Sequence, residues 1–157
     1  MVLRFGHLIT YKDLSQEMTI SDAEDVVKWC LHSLEREGMK ATCYKKDDIP
    51  LRSLVATQPA IQLSRYSYVK RTFEEKKNTP IVIVFYGNRF YCIDGHTRSR
   101  AATERSVNAL LGIEITPLPP PEYMGIPGVI RFAYENELKT VNEIPIFDDS
   151  ELNTPQV

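Results

Sequence analysis

A chain of 157 residues with 43% hydrophobic content has the length and apolar substance for one domain with a real core. A formal net charge of −2 excludes an overall basic field that would draw in nucleic acid or an acidic membrane, and no apolar run approaches the length of a membrane span. The opening Met1-Val2-Leu3-Arg4 does not begin a secretory leader, and Cys30, Cys43 and Cys92 are odd in number with no C-x-x-C spacing, so a cytoplasmic chain without a disulfide framework or zinc site is expected.

Met1 to Met18 carries no firm element beyond a short strand at Leu8 to Tyr11. At Ser21-Asp22-Ala23-Glu24 a capping-box start is followed by Ala23, Val26, Val27, Cys30, Leu31 and Leu34 at helical spacing. The helix should run through Glu37 and stop at Gly38. His32 falls off the apolar stripe and is assigned to solvent, while Trp29 is expected to pack at the stripe's edge. Lys40 to Tyr44 reads as a short strand and Lys45-Lys46-Asp47-Asp48 as a solvated loop. Ile49-Pro50-Leu51 and Leu54-Val55 return the chain to the core before Thr57-Gln58-Pro59 breaks it. Ser64 then caps a helix reaching about Lys77, with Tyr66, Val69 and Phe73 inward and a basic outer face.

Ile81 to Phe85 is an unbroken apolar, β-branched run that suits a strand covered on both faces, with Pro80 tolerated at its start. Gly87-Asn88 supplies a tight two-residue turn, and Arg89 to Ile93 is the returning strand. Cys92 on that strand is read as a small buried hydrophobe. At Asp94-Gly95 the pattern switches from strand to helix. Val107 to Leu111 and Ile113 to Ile115 add core, with Gly112 as a turn between them. Pro117, Pro119, Pro120 and Pro121 end regular structure, the run being read as a semi-rigid strap in preference to a proline-recognition segment. A short helix at Val129 to Leu138 and a frayed polar tail from Asp148 to Val157 complete the chain.

The strand-to-helix junction carries the chemistry. The first amides of a helix have no intrahelical acceptor and sit at the positive end of its dipole, so an anion can bind them. Arg98 adds a forked cation suited to phosphate oxygens, and Asp94 and His96 stand beside it as a proton acceptor and donor. The bland alternative makes Asp94 a helix cap and His96 a solvated turn residue.

With these pieces in place the chain resembles the ParB N-terminal/sulfiredoxin-like superfamily over about Asp48 to Thr116. The G-E-R-R-x-R-A box of ParB is matched at Gly95, Arg98, Arg100 and Ala101, and the sulfiredoxin G-C-H-R box only at Gly95 and Arg98. His96 stands where sulfiredoxin has its nucleophilic cysteine, so sulfinic-acid reduction is not expected. The D-G-H-x-R form of ParB-like proteins and ADP-dependent free serine kinases is matched at Asp94, Gly95, His96 and Arg98. The resemblance implies an α+β fold, a small mixed sheet with helices around it, in which 48–116 is the core, 1–47 an extension with one helix, and 117–157 the strap, short helix and tail.

It also implies a site for ATP, ADP or CTP with Mg2+. Gly95, His96, Thr97 and Arg98 would hold phosphate oxygens, Asp94 would hold the metal or accept a proton, and Ser64 and Arg65 would face the nucleotide from the opposite helix. Kinases of this type place a catalytic glutamate in the loop where this chain has Thr57-Gln58; an amide is no general base, which leaves Gln58 to orient a hydroxyl or water. Three functions follow in order. The first is phosphoryl transfer to a small-molecule acceptor, or nucleotide hydrolysis, with Asp94 and His96 catalytic. The second is a nucleotide-gated partition or regulatory module, lacking the helix-turn-helix for direct DNA contact. The third is a nuclease, for which Asp94 alone is a poor metal centre.

Overall fold

The computed structural model describes residues 7–9 and 21–149. Its centre is a six-stranded mixed sheet in the order β1-β2-β7-β5-β6-β3. The strands are β1 (His7–Ile9), β2 (Lys40–Pro50), β3 (Leu54–Ala56), β5 (Ile81–Tyr86), β6 (Arg89–Asp94) and β7 (Ala109–Leu118). β5 runs parallel to β7 and antiparallel to β6, which in turn runs parallel to β3. A second sheet has only β4 (Ile61–Gln62) and β8 (Ile146–Phe147), in parallel.

Period-two alternation on β5 divides the core. Ile81 and Ile83 enter one apolar cluster and Val82 and Val84 the other, all four with no exposed surface. On the Val82/Val84 face lie α1 (Ser21–Arg36), through Ala23, Val27, Cys30 and Leu34, and α5 (Gly128–Glu135), through Ile130 and Ala133. On the Ile81/Ile83 face lie α2 (Leu63–Arg71), α3 (Phe73–Lys76) and α4 (His96–Glu104), which contribute Tyr66, Val69, Phe73, Ala101 and Ala102. The fold is therefore α+β, with helices on both faces of a mixed sheet, as the sequence predicts.

The locally encoded elements lie close to their expected places. The helix from Ser21 ends at Arg36, two residues before Gly38, whose φ of +77° suits a glycine stop. Gly87 and Asn88, at φ +57° and +62°, make the tight hairpin turn between β5 and β6. Cys92 is fully buried, and burial pushes its thiol well above the ordinary range; Cys30 and Cys43 are pushed up to about 12 by the same cause.

Several expectations are corrected. Lys45 to Asp48 is no loop: β2 continues through it, pairing with β7 across a bulge between Lys46 and Ile49, and Lys46 gives a 2.8 Å ion pair to Glu114 of β7. Of the two segments expected to return the chain to the core, Ile49-Pro50 ends β2 and Leu54-Val55 opens β3, with Leu51 to Ser53 forming the turn between them. Gly112 is not a turn; it lies mid-strand in β7, where a Cβ would stand 2.6 Å from Ile49 Cγ1. Pro117 still pairs with Ala41, because β7 outruns β5 there and needs only its β2 neighbour. The helix from Leu63 breaks at Thr72 rather than running unbroken to Lys77. Trp29 is 55% exposed instead of packed at the stripe's edge. Asp149, expected in a frayed tail, is buried; the remainder of that tail, 150–157, and the positions expected to extend the first strand to Tyr11 lie outside the described residues.

Candidate functional site

The turn from β6 into α4 is built as the residue pattern requires. β5 and β6 shift register between Val82 and Ile83, so that Val82 pairs with Asp94 and Ile83 with Cys92, leaving Ile93 as a bulge at the strand's end. Gly95 follows with φ +113°, a conformation that side-chain-bearing residues rarely adopt. A Cβ there would meet Ile81 Cγ2 at 2.4 Å. The glycine thus serves packing against β5 as well as the sharp turn. The first helical bond runs from the Ser99 amide to the Gly95 carbonyl at 2.8 Å, which leaves the amides of His96, Thr97 and Arg98 ahead of the helix's own ladder.

These residues form one wall of a cleft of about 830 Å³. Gln58 and Ala60 from the loop after β3, and Gln62, Arg65, Tyr68 and Val69 from β4 and α2, line it as well, as do Thr79, Ile93 and Asp94. Asp25 and Val26 of α1 also line it. The cleft therefore collects Gln58, Arg65, Asp94, Gly95, His96, Thr97 and Arg98, seven of the eight residues singled out in sequence. Ser64 is the exception. Its amide (2.9 Å) and hydroxyl (2.5 Å) both donate to the Asp149 carboxylate, which turns it toward the C-terminal segment and away from the cleft lining.

Three side chains are more committed than their sequence pattern suggests. His96 is buried, and its Nε2 accepts the Thr57 amide at 2.9 Å, so the ring is neutral with its proton on Nδ1. Burial lowers its pKa to about 4. The lone pair a general base would use is occupied. Thr57 is itself fixed by its hydroxyl donating to the Cys92 carbonyl at 2.5 Å, which ties the loop after β3 to the end of β6. Arg98 gives Nη1 to the carbonyls of Thr79 (2.6 Å) and Pro80 (3.1 Å) and Nη2 to Asp94 Oδ2 (2.9 Å), bracing the start of β5 instead of projecting freely into the cleft. The Gln58 amide nitrogen donates to the Ala60 carbonyl at 2.8 Å, shaping its own loop.

Arg65 is different. It is exposed on α2, lines the cleft, and among the described residues takes part in no ion pair. Asp25 and Tyr68 were not singled out in sequence. The positions of both on amphipathic helices are visible there, but which cleft those helices border depends on tertiary packing. Among the described residues no group of three or more histidine, cysteine, aspartate or glutamate side chains is placed to hold a metal ion.

No protein-family model matches the chain, and no curated protein matches it. Among solved structures, protein Atu1540 from Agrobacterium tumefaciens is similar over 50% of the chain at 22% identity, with a TM-score of 0.38. The match spans 38% of that protein's length. Among the described residues no helix is long and apolar enough to cross a membrane.

Proposed function

We propose that the cleft binds the polyphosphate of a nucleotide, in the manner of the ParB/sulfiredoxin-like proteins that the D-G-H-x-R segment resembles. The observation that carries this reading is the juxtaposition of three amides ahead of the α4 ladder with the Arg65 guanidinium in one cleft. Amides at a helix start and a guanidinium fork are the two donor types that suit phosphate oxygens, and about 830 Å³ lies within the range of small-molecule sites. His96 adds an Nδ1 proton as a further donor. Arg98 acts one step back, holding Asp94 and the β5 start in place.

Magnesium fits this cleft as an ion carried by the nucleotide. Asp94, whose Oδ2 is engaged by Arg98, and Asp25 are the carboxylates on the cleft that would hold a bound Mg2+. When bound, it would neutralise phosphate charge. Asp25 favours turnover as a second reading: it puts a carboxylate on the cleft from α1, where the loop after β3 offers only Gln58. Phosphoryl transfer to a small-molecule acceptor, or hydrolysis, would then use Asp25 or Asp94 as proton acceptor, since Nε2 of His96 is occupied.

A thermal-shift panel of ATP, ADP, CTP and GTP with magnesium tests binding, because a ligand that binds only the folded state raises its melting temperature. Calorimetry on Arg65→Ala should then show roughly tenfold weaker binding, the loss of one charge-assisted contact to phosphate. Unchanged affinity in that variant would remove the phosphate site from this cleft. Product analysis on the bound nucleotide separates turnover from binding alone, and of Asp25→Asn and Asp94→Asn the one that removes the proton acceptor should abolish turnover; full turnover in both variants would remove this second reading.

A further inference from the structure

We infer that residues 138–149 form a clasp that positions the walls of the cleft, with Asp149 and Arg100 as its polar anchors. The inference rests on the proposed nucleotide site for its functional meaning. Its structural content stands on the segment's own bonds.

The segment touches α4, β4 and α2, which line the cleft, and β3, which leads into it. It first covers the outer edge of β3, where the Ala56 amide donates to the Lys139 carbonyl and the Val141 amide to the Leu54 carbonyl, each at 2.9 Å. β3 leads directly into the loop that carries Thr57 and Gln58. The segment then crosses α4, where Arg100 Nη1 donates to the carbonyls of Val141 (3.1 Å) and Ile144 (2.8 Å). Arg100 is four residues beyond His96, one turn along the same helix. It finally pairs β8 with β4, setting Phe147 opposite Gln62, and ends with the Asp149 carboxylate on the amide and hydroxyl of Ser64. Gln62 and Arg65, on either side of that contact in sequence, line the cleft.

The last contact is a helix cap supplied from 85 residues away. The residue before α2, Gln62, makes no side-chain cap of its own, and the first turn of the helix holds no acidic residue. Asp149 fills that vacancy with a negative charge at the positive end of the helix. Ser64 and Arg65 are consecutive in the same first turn, so the cap fixes the base from which Arg65 reaches the cleft. Val141 (0% exposed) and Ile144 (3%) bury the clasp's apolar residues in the cluster beneath α2 and α4, which gives the polar anchors a rigid seat. Asp149 and Arg100 are thus positioning residues, acting on a ligand through Arg65 and through α4.

Amide hydrogen exchange on the full chain tests this without any nucleotide. In Asp149→Ala, the amides of residues 62–66 should exchange roughly tenfold faster, the effect of losing a helix cap locally. Ser64→Ala, which removes one of the two bonds, should show a smaller increase at the same amides. Val27→Ala, on the opposite face of the sheet, supplies the pattern of general destabilisation. If Asp149→Ala reproduces the Val27→Ala pattern, or leaves 62–66 unchanged, the clasp is refuted. With ATP and magnesium as probe, Asp149→Ala should weaken binding several-fold, and Arg65→Ala and Asp149→Ala together should weaken it by less than the product of the two. A wild-type chain that binds no nucleotide would end the functional reading of the cleft, while the exchange result would still decide the clasp.

Discussion

Gly95 and His96 are neighbours in sequence and have opposite constraints. Gly95 needs the absence of a side chain twice over, for its φ of +113° and for the 2.4 Å that would separate a Cβ from Ile81 Cγ2. Gly95→Ala should therefore destabilise the fold by about 2–5 kcal/mol, combining left-handed strain with overpacking, as read by urea denaturation. A loss within a few tenths of a kcal/mol would mean the turn is not held as described. His96, in contrast, needs its ring buried and neutral. Its folded pKa of about 4 lies below the unfolded value of 6.5, so between those pH values the unfolded chain takes up a proton that the folded chain refuses. The stability associated with His96 is whole above pH 6.5 and is lost as the pH falls toward 4, by on the order of 3 kcal/mol. Urea midpoints for the wild type and His96→Gln across that range isolate the effect. The wild type should lose stability toward acid more steeply than the variant, and parallel curves would show that the ring is not buried neutral.

Among the elements, those legible in sequence are those whose signal is local. β5, the Gly87-Asn88 turn, β6 and the start of α4 form one continuous stretch, and apolar run, turn chemistry and the change of period at Asp94-Gly95 mark it without reference to distant residues. The stretch's candidate-site residues, which line the cleft, stand out in sequence for the same reason. Elements that depend on distant partners were not. Lys45 to Asp48 carries a loop's composition and becomes strand because β7 pairs with it and Glu114 receives Lys46. Ser64 looks like its own helix's cap, yet the cap comes from Asp149. The commitments of Arg98 and His96 are likewise set by carbonyls and amides that no motif spacing reveals.

Gly112 shows the same lesson quantitatively. A glycine between two apolar runs suggests a turn, where alanine would meet open space. In β7 an added Cβ would instead lie 2.6 Å from Ile49 Cγ1 and 3.1 Å from the Ile81 carbonyl. Gly112→Ala should cost about 1–3 kcal/mol, and in an Ile49→Ala background, where Cγ1 itself is gone, Gly112→Ala should cost less. Strict additivity of the two changes would show that the strands are not in this contact.

At the scale of the molecule, β5 is the element that both halves of the core share. Its four leading residues alternate between the α1/α5 layer and the layer of α2, α3 and α4, and no exposed surface remains on any of them. A strand buried on both faces cannot leave one layer while staying in the other, so loosening either layer should loosen both. Trp29, the sole tryptophan, sits on α1 and reports one layer, whereas far-ultraviolet circular dichroism reports the whole. Ile83 lies in the opposite layer. Ile83→Ala removes fully buried volume and should destabilise by about 2–5 kcal/mol. Because β5 transmits that loss, the tryptophan fluorescence and dichroism transitions in urea should move together to the same lower midpoint, as two-state unfolding requires. If the tryptophan transition stays in place while the dichroism midpoint falls, the two layers unfold separately, and the cleft, which draws Asp25 and Val26 from one layer and Arg65 from the other, would lose the shared scaffold that holds it together.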